Sequence, residues 1–272
     1  MRFKITLETT DNTEIPINYQ YPLSAAIYKV LEKGNKTYAD FLHGSGYGKG
    51  FKFFTFSQLY VPFEIHGSRL RLKRTLVTFE VTFHIPEAME HFIKGLFQSE
   101  QIVIGNRNVQ GFFKVRTIET LPNALSVFMD NEIVRLRLRP VSPLVVGFPN
   151  EGGNYDYLAP GDERFVDGLT YNWKSKIDAV YVENEVDPLL LVDVFPLKNG
   201  MKSRLISIKE GSLQETKIRG WLGFELEISA TKKHLELLLN SGAGLYNAQG
   251  FGCLKIVDMK KRTNNVMGKL YG

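Results

Sequence analysis

The chain of 272 residues is 43% hydrophobic, 23% charged and 12% aromatic, a balance that excludes disordered and fibrous proteins, and its length suits about two domains, each with its own core, rather than a disulfide or metal mini-domain. Its 34 Lys and Arg against 29 Asp and Glu leave a net charge of +5, which favours a polyanionic partner only mildly. The longest run without a charged residue, 237–254, holds four glycines and does not read as a membrane span, Glu8 and Asp11 interrupt any signal-peptide core, and Cys253 is alone, so a cytoplasmic protein with no membrane partner is expected.

Residues 2–8 alternate Phe3, Ile5 and Leu7 with Lys4 and Thr6, the period of a half-buried strand. Pro22 opens a helix in which Leu23, Ala26, Ile27, Val30 and Leu31 recur at helical spacing, and Gly34 with Asn35 ends it. A short helix then leads to His43. Aromatic-rich 51–61 and the β-formers of 75–85, among them Leu76, Phe79, Val81 and Phe83, predict two strands. A second helix opens at Pro86 and Glu87 with a stripe of Met89, Phe92, Ile93, Leu96 and Phe97, and 102–115 returns to strand character. The order β-α-β-β-α-β recurs beyond a junction between 121 and 132. There 133–138 is a strand, Phe165, Leu169, Trp173 and Ile177 mark a helix behind Asp162 and Glu163, 204–209 and 217–228 are strands, Thr231 caps a helix bearing Leu235, Leu238 and Leu239, and 254–257 closes the set. The expected fold is α+β: two tandem ferredoxin-like (RRM-like, βαββαβ) domains at 1–124 and 125–272, each with its helices on one face of an antiparallel sheet.

Between the last helix and the last strand, Gly242-Ala243-Gly244 and Gly250-Phe251-Gly252 flank a spacer, 245–249. Glycine permits positive φ and close approach to a ligand, so this loop can present N–H groups to phosphates or can be a tight helix-to-strand turn. With Asn at 247 and a helix in front, it is neither a dinucleotide fingerprint nor a P-loop. The double Gly-x-Gly loop, at this place in a two-unit chain, resembles the hallmark of the CRISPR repeat-processing endoribonucleases of the RAMP superfamily. Ile218-Arg219-Gly220-Trp221-Leu222-Gly223 and Arg139-Pro140-Val141-Ser142-Pro143 share in the resemblance. The spacer departs from the family in carrying no Lys or Arg. The resemblance implies CRISPR repeat RNA (precursor crRNA) as partner, with subunits of a CRISPR effector complex and a second copy of the chain as further candidates, no cofactor, and metal-independent cleavage that leaves 2′,3′-cyclic phosphate and 5′-hydroxyl ends.

In that family a Tyr on the first helix, a His about fifteen residues later and a Lys shortly after form the active site. The resemblance lays these roles on Tyr28, His43 and Lys49, with Lys52 as a substitute for Lys49. The residues themselves agree. Tyr28 lies beside the apolar stripe, next to Ser24, so its hydroxyl need not enter the core, and His43 precedes a loop of four glycines that carries Lys49. Cleavage of RNA by acid–base chemistry needs a base for the 2′-hydroxyl, an acid for the 5′-oxygen and positive charge at the pentacoordinate phosphorus. Imidazole, with an ordinary pKa of ~6.5, can take and return a proton near neutrality. His43 is the candidate base, Tyr28 orients the hydroxyl or acts as acid, Lys49 meets the phosphoryl charge, and the division of acid from base stays open.

The candidate RNA-binding set is Lys52, Arg69, Arg71, Arg135, Arg137, Arg139, Gly242, Gly244, Gly250 and Gly252. The arginines alternate with apolar residues on single strand faces, a pattern that suits phosphate tracking and a merely solvated face equally. Residues 49–56 resemble the RNP1 strand of RRM domains but depart at Lys52, and their aromatics read as core. His66, His84, His91 and His234 are scattered, so no metal site is expected, and no G-x-S-x-G element occurs. The alternatives are a non-catalytic RAMP-type subunit that only holds RNA and a general RRM-like binding module.

Overall fold

A computed structural model describes residues 1–152, 155–181, 189–210 and 212–261; the end of the expected second domain, 262–272, lies outside them. In chain order the elements are β1 (Arg2–Glu8), β2 (Glu14–Pro16), α1 (Gln20–Gly34), α2 (Lys36–His43), β3 (Phe54–Phe56), β4 (Phe63–His66), β5 (Arg69–Leu72), β6 (Leu76–Phe83), α3 (Pro86–Phe97), β7 (Ile102–Gly105) and β8 (Gln110–Leu121). The second half holds β9 (Ile133–Pro140), β10 (Gly147–Pro149), β11 (Tyr155–Tyr157), α4 (Phe165–Val180), β12 (Leu191–Pro196), β13 (Lys202–Ile208), β14 (Thr216–Leu222), β15 (Phe224–Thr231), α5 (Lys232–Ser241) and β16 (Leu254–Lys261). No helix among the described residues is long and apolar enough to cross a membrane.

The first main sheet runs β3-β6-β1-β8-β7 and the second β12-β15-β9-β16. β1 lies between β6 and β8, with Ile5 opposite Phe79 and Ile118; β9 lies between β15 and β16, with Leu138 opposite Leu226 and Ile256. In each half the first strand is central, flanked by the third and fourth, with the second beyond the third. That is the ferredoxin-like arrangement twice over, as the element order predicts. One core packs Phe3, Ile5 and Leu7 against Leu23, Ile27 and Phe92, and the other packs Val134, Leu136 and Leu138 against Phe165, Trp173, Ile177 and Leu235.

Four sequence expectations are corrected. The strand at 51–61 shrinks to β3, because Phe53 takes a φ of 50° that breaks the pleat and turns its ring into the second core while Phe54 and Phe56 enter the first. Residues 102–115 are a hairpin, β7–β8, since Asn106 Oδ1 accepts the N–H groups of Asn108 and Val109 at 2.9 and 3.1 Å and makes a turn. Residues 217–228 split at Gly223, φ 82°, into β14 and β15, which join different sheets. Phe97 closes the α3 stripe in sequence yet is 82% exposed, whereas Gly95 faces α1: a Cβ there would collide with Val30 O. The edge strand β12 carries no clean alternation and escapes the periodicity.

Candidate active site

The N-terminal wall of the site follows from two helix ends. On α1 the apolar face is buried, and Tyr28 sits at its margin with its ring edge-on to Phe54 and His43, both centroids 5.6 Å away. Asn35 ends α1 and caps α2, its Oδ1 accepting the Tyr38 N–H at 3.0 Å, so α2 doubles back and brings exposed His43 to Tyr28. Glycines with positive φ at 46, 48 and 50 then fold the loop onto itself. Tyr47 and Phe51 exchange backbone hydrogen bonds of 2.8 Å, which leaves Lys49 at the exposed tip, its Nζ 5.6 Å from the centre of the Tyr171 ring. Lys52 Nζ donates to Gly44 O and His43 O at 3.3 and 3.5 Å, and partial burial lowers its pKa. Burial raises the pKa of the Tyr28 phenol, so the hydroxyl keeps its proton and can donate.

The opposite wall is the glycine loop. Gly242, Gly244, Gly250 and Gly252 all have positive φ, and a Cβ on them would strike, in turn, Asn247 Nδ2, Val145 O, the Phe56 ring and Ala243 O. The N–H groups of Gly242, Gly250 and Gly252 are taken by Leu238 O, Asn247 O and Pro143 O at 2.9 Å. These glycines therefore serve the packing of the turn. Within the loop, the N–H groups of Gly244, Tyr246, Asn247, Ala248 and Phe251 meet no acceptor among the described residues, and three of them are successive, at 246–248, where Tyr246 is left-handed (φ 59°) and a 3₁₀ turn, Asn247–Gln249, begins. Successive N–H groups after a left-handed residue form a concavity suited to an anion.

Between the walls lies a cavity of about 710 Å³ that brings together Tyr28, His43, Lys49, Lys52 and Gly244 with the spacer. Lys176 and Lys209 also line it, and no Asp or Glu does among the described residues. The other expected residues lie elsewhere. Gly242, Gly250 and Gly252 are buried and do not line the cavity. Arg69 and Arg71 pair with Glu14 at 3.2 and 2.9 Å. Arg135 and Arg139 pair with Glu227 and Glu225 across β9–β15, and Arg137 lies between both carboxylates at 3.5 and 3.8 Å. His84 is at the interface of the halves, against Phe53 and Tyr181. His234 accepts or donates within 2.9 Å of Thr231 Oγ1.

Sequence reasoning missed Lys176, Asn172 and Gln249. Lys176 is 2% exposed; its Nζ donates to Gly242 O at 2.7 Å, Gly244 O at 3.5 Å and Asn247 Oδ1 at 2.6 Å. Burial pushes its ammonium down to about 7, while the three acceptors favour the charged form. A lysine three residues after Trp173 and next to Ile177, on the buried face of a helix, is the signal that could have found it. Asn172 Oδ1 and Gln249 Oε1 are buried on the cavity wall with no donor among the described residues.

The family model for CRISPR associated protein Cas6, C-terminal, matches residues 126–256, and that for CRISPR-associated protein Cas6, N-terminal, matches residues 14–117. The chain belongs to the Cas6 family. A relative from Methanocaldococcus jannaschii, described as CRISPR-associated endoribonuclease Cas6 1, is 27% identical over 97% of this chain and 96% of its own length. A solved structure titled CRISPR associated protein Cas6 covers 95% of this chain and 99% of its own at 25% identity, with a TM-score of 0.69. A Cas6-related protein from Pyrococcus furiosus covers 95% and 98% at 21% identity, with a TM-score of 0.76, and shares the tandem Cas6 fold.

Proposed function

We propose that this Cas6-family chain binds CRISPR repeat RNA and cuts the precursor by metal-independent transesterification at the cavity between its halves. The observation that carries this reading is the convergence of Tyr28, His43, Lys49 and Lys52 on one cavity that faces the glycine loop and that no Asp or Glu lines among the described residues. With the division we propose, 1–124 supplies Tyr28, His43 and Lys49, and 125–272 supplies the loop.

His43 takes the proton of the 2′-hydroxyl upstream of the cut, and the resulting oxygen attacks the adjacent phosphorus in line with the departing 5′-oxygen. Tyr28, held protonated by burial, donates a hydrogen bond at this centre and orients the reacting oxygen. Lys49, with Lys52 behind it, offsets the negative charge that builds on the phosphoryl oxygens. The P–O5′ bond breaks, the leaving oxygen takes a proton from the His43 imidazolium or from Tyr28, which His43 then reprotonates, and the ends are a 2′,3′-cyclic phosphate and a 5′-hydroxyl. Arg69, Arg71, Arg135, Arg137 and Arg139 lie outside this centre and, on this reading, act at most on flanking RNA.

The test is cleavage of a panel of CRISPR repeat RNAs by the purified protein, with and without a single 2′-deoxynucleotide just upstream of the mapped cut. The expected result is cleavage of the first and retention without cleavage of the second. Binding of repeat RNA that never leads to a cut would instead assign the chain to RNA-holding subunits.

A further inference from the structure

The eleven residues 242–252 contain no cation and no acid, and Asn247 is their midpoint. Its side chain organises both Gly-x-Gly units at once. Nδ2 donates to Ala243 O and to Phe251 O, each at 3.0 Å, so the central residue of each unit is tied to the same amide. Gly242 and Gly252 must be glycine on the same account: a Cβ on either would lie within 2.8 Å of Asn247 Nδ2. The remaining atom of the amide, Oδ1, accepts from Lys176 Nζ at 2.6 Å. Lys176 comes from α4, 71 residues away, and spends its other two protons on the carbonyls of Gly242 and Gly244.

An ammonium has three donors, and here all three are committed to the loop. Lys176 therefore has none left for a substrate, and it is a positioning group whose charge still faces the cavity it lines. The N–H groups that share peptide units with those carbonyls, Ala243 and Leu245, donate to Gly252 O and Val145 O at 2.9 and 2.8 Å, so both units are pinned on each side, while the N–H groups of Tyr246, Asn247 and Ala248 further along meet no acceptor among the described residues. Among the described residues no Asp or Glu lines the cavity, so none of them cancels the buried charge there.

We propose that Lys176 and Asn247 form a clasp that holds the glycine loop in its phosphate-receiving shape, and that Lys176 supplies from α4 the positive charge that the loop's own sequence lacks. This rests on the reading of the loop as an RNA-phosphate site. Without the ammonium, three acceptors lose their donor and the cavity loses a charge; without the Asn247 amide, the two glycine units lose their common tie but the charge stays.

The experiment compares Lys176→Met and Asn247→Ala with the parent and with His43→Ala. Affinity is measured on a repeat RNA that the parent binds, carrying one 2′-deoxynucleotide at the cut if the parent cuts it and unmodified if it does not. Both clasp variants are expected to bind at least ~10-fold more weakly, the loss that goes with one hydrogen-bonded charged group, whereas His43→Ala keeps near-parental affinity. The dependence of affinity on salt should become shallower in Lys176→Met and stay parental in Asn247→Ala. Amide exchange should quicken at 243–250 in both. Parental affinity in both variants, or a loss no larger than the unfolded fraction seen by melting, overturns the clasp. Should Lys176→Met not fold, Asn247→Ala decides alone. A parent that binds and never cuts overturns the cleavage reading, and the affinity comparison still decides the clasp.

Discussion

At the residue scale, the environments of the polar side chains in and around the cavity separate their roles. His43 is exposed at the end of α2, Tyr28 is half-buried behind it, and Lys176 is fully enclosed. If imidazole moves protons in the transition state and adds little to ground-state binding, His43→Ala should slow single-turnover cleavage by roughly 10²–10⁴-fold with little change in affinity. Tyr28→Phe should also slow it, and the double variant should lose less than the product of the two, since groups that act as a unit are not additive. His84 behaves differently. Burial, aided by the nearby N-terminal ammonium, pushes its pKa from 6.5 down to about 4, so between those values the unfolded chain binds the proton and the native one does not. Stability should therefore be whole above pH 6.5 and fall by about 3 kcal/mol as the pH drops to 4. Denaturant melts of the parent and of His84→Gln at pH 4.5 and 7.5 check this, the variant being expected to lose most of that difference.

At the element scale, loops and helix crossings rest on glycines that no side chain can replace. In Gly244→Val or Gly250→Val, positive φ and contact with Val145 O or the Phe56 ring make strain of about 1–3 kcal/mol unavoidable. Each substitution should lower the melting temperature by roughly 5 °C or more in calorimetry. The arginine strand is likewise changed by its neighbours. Arg135, Arg137 and Arg139 share Glu225 and Glu227, which leaves one net positive charge for three arginines. Replacing all three by Ala should reduce the salt slope of RNA binding by about one unit at most, and a drop near three would show that the pairs open for RNA.

At the scale of the whole molecule, the site belongs to neither half alone. α1, α2 and the loop after them bring the tyrosine, histidine and lysines, while α4 and the glycine loop bring the buried cation and the free N–H groups. The chemistry proposed for this junction asks nothing of a metal. Cleavage of repeat RNA should accordingly proceed at an undiminished rate in excess EDTA, measured by gel under single-turnover conditions. A strict requirement for Mg²⁺ or Mn²⁺ would sink the mechanism.

Sequence alone determined what is local and periodic. The alternation at Phe3, Ile5 and Leu7 and the helical recurrence from Leu23 to Leu31 follow from the geometry of single elements, and their order leaves few alternatives to two βαββαβ units. Tyr28 and His43 were singled out by the family resemblance, with which the helical phase of the one and the place of the other at the end of a short helix agreed. Tertiary structure alone decided which partners those elements meet. The pairing of β12 along an edge, the split of 217–228 between two sheets, the neutralisation of the arginine face and the placing of Lys176 on Asn247 each join residues distant in the chain. Such contacts depend on how packed layers are set against each other, and no periodicity within a single segment carries that information.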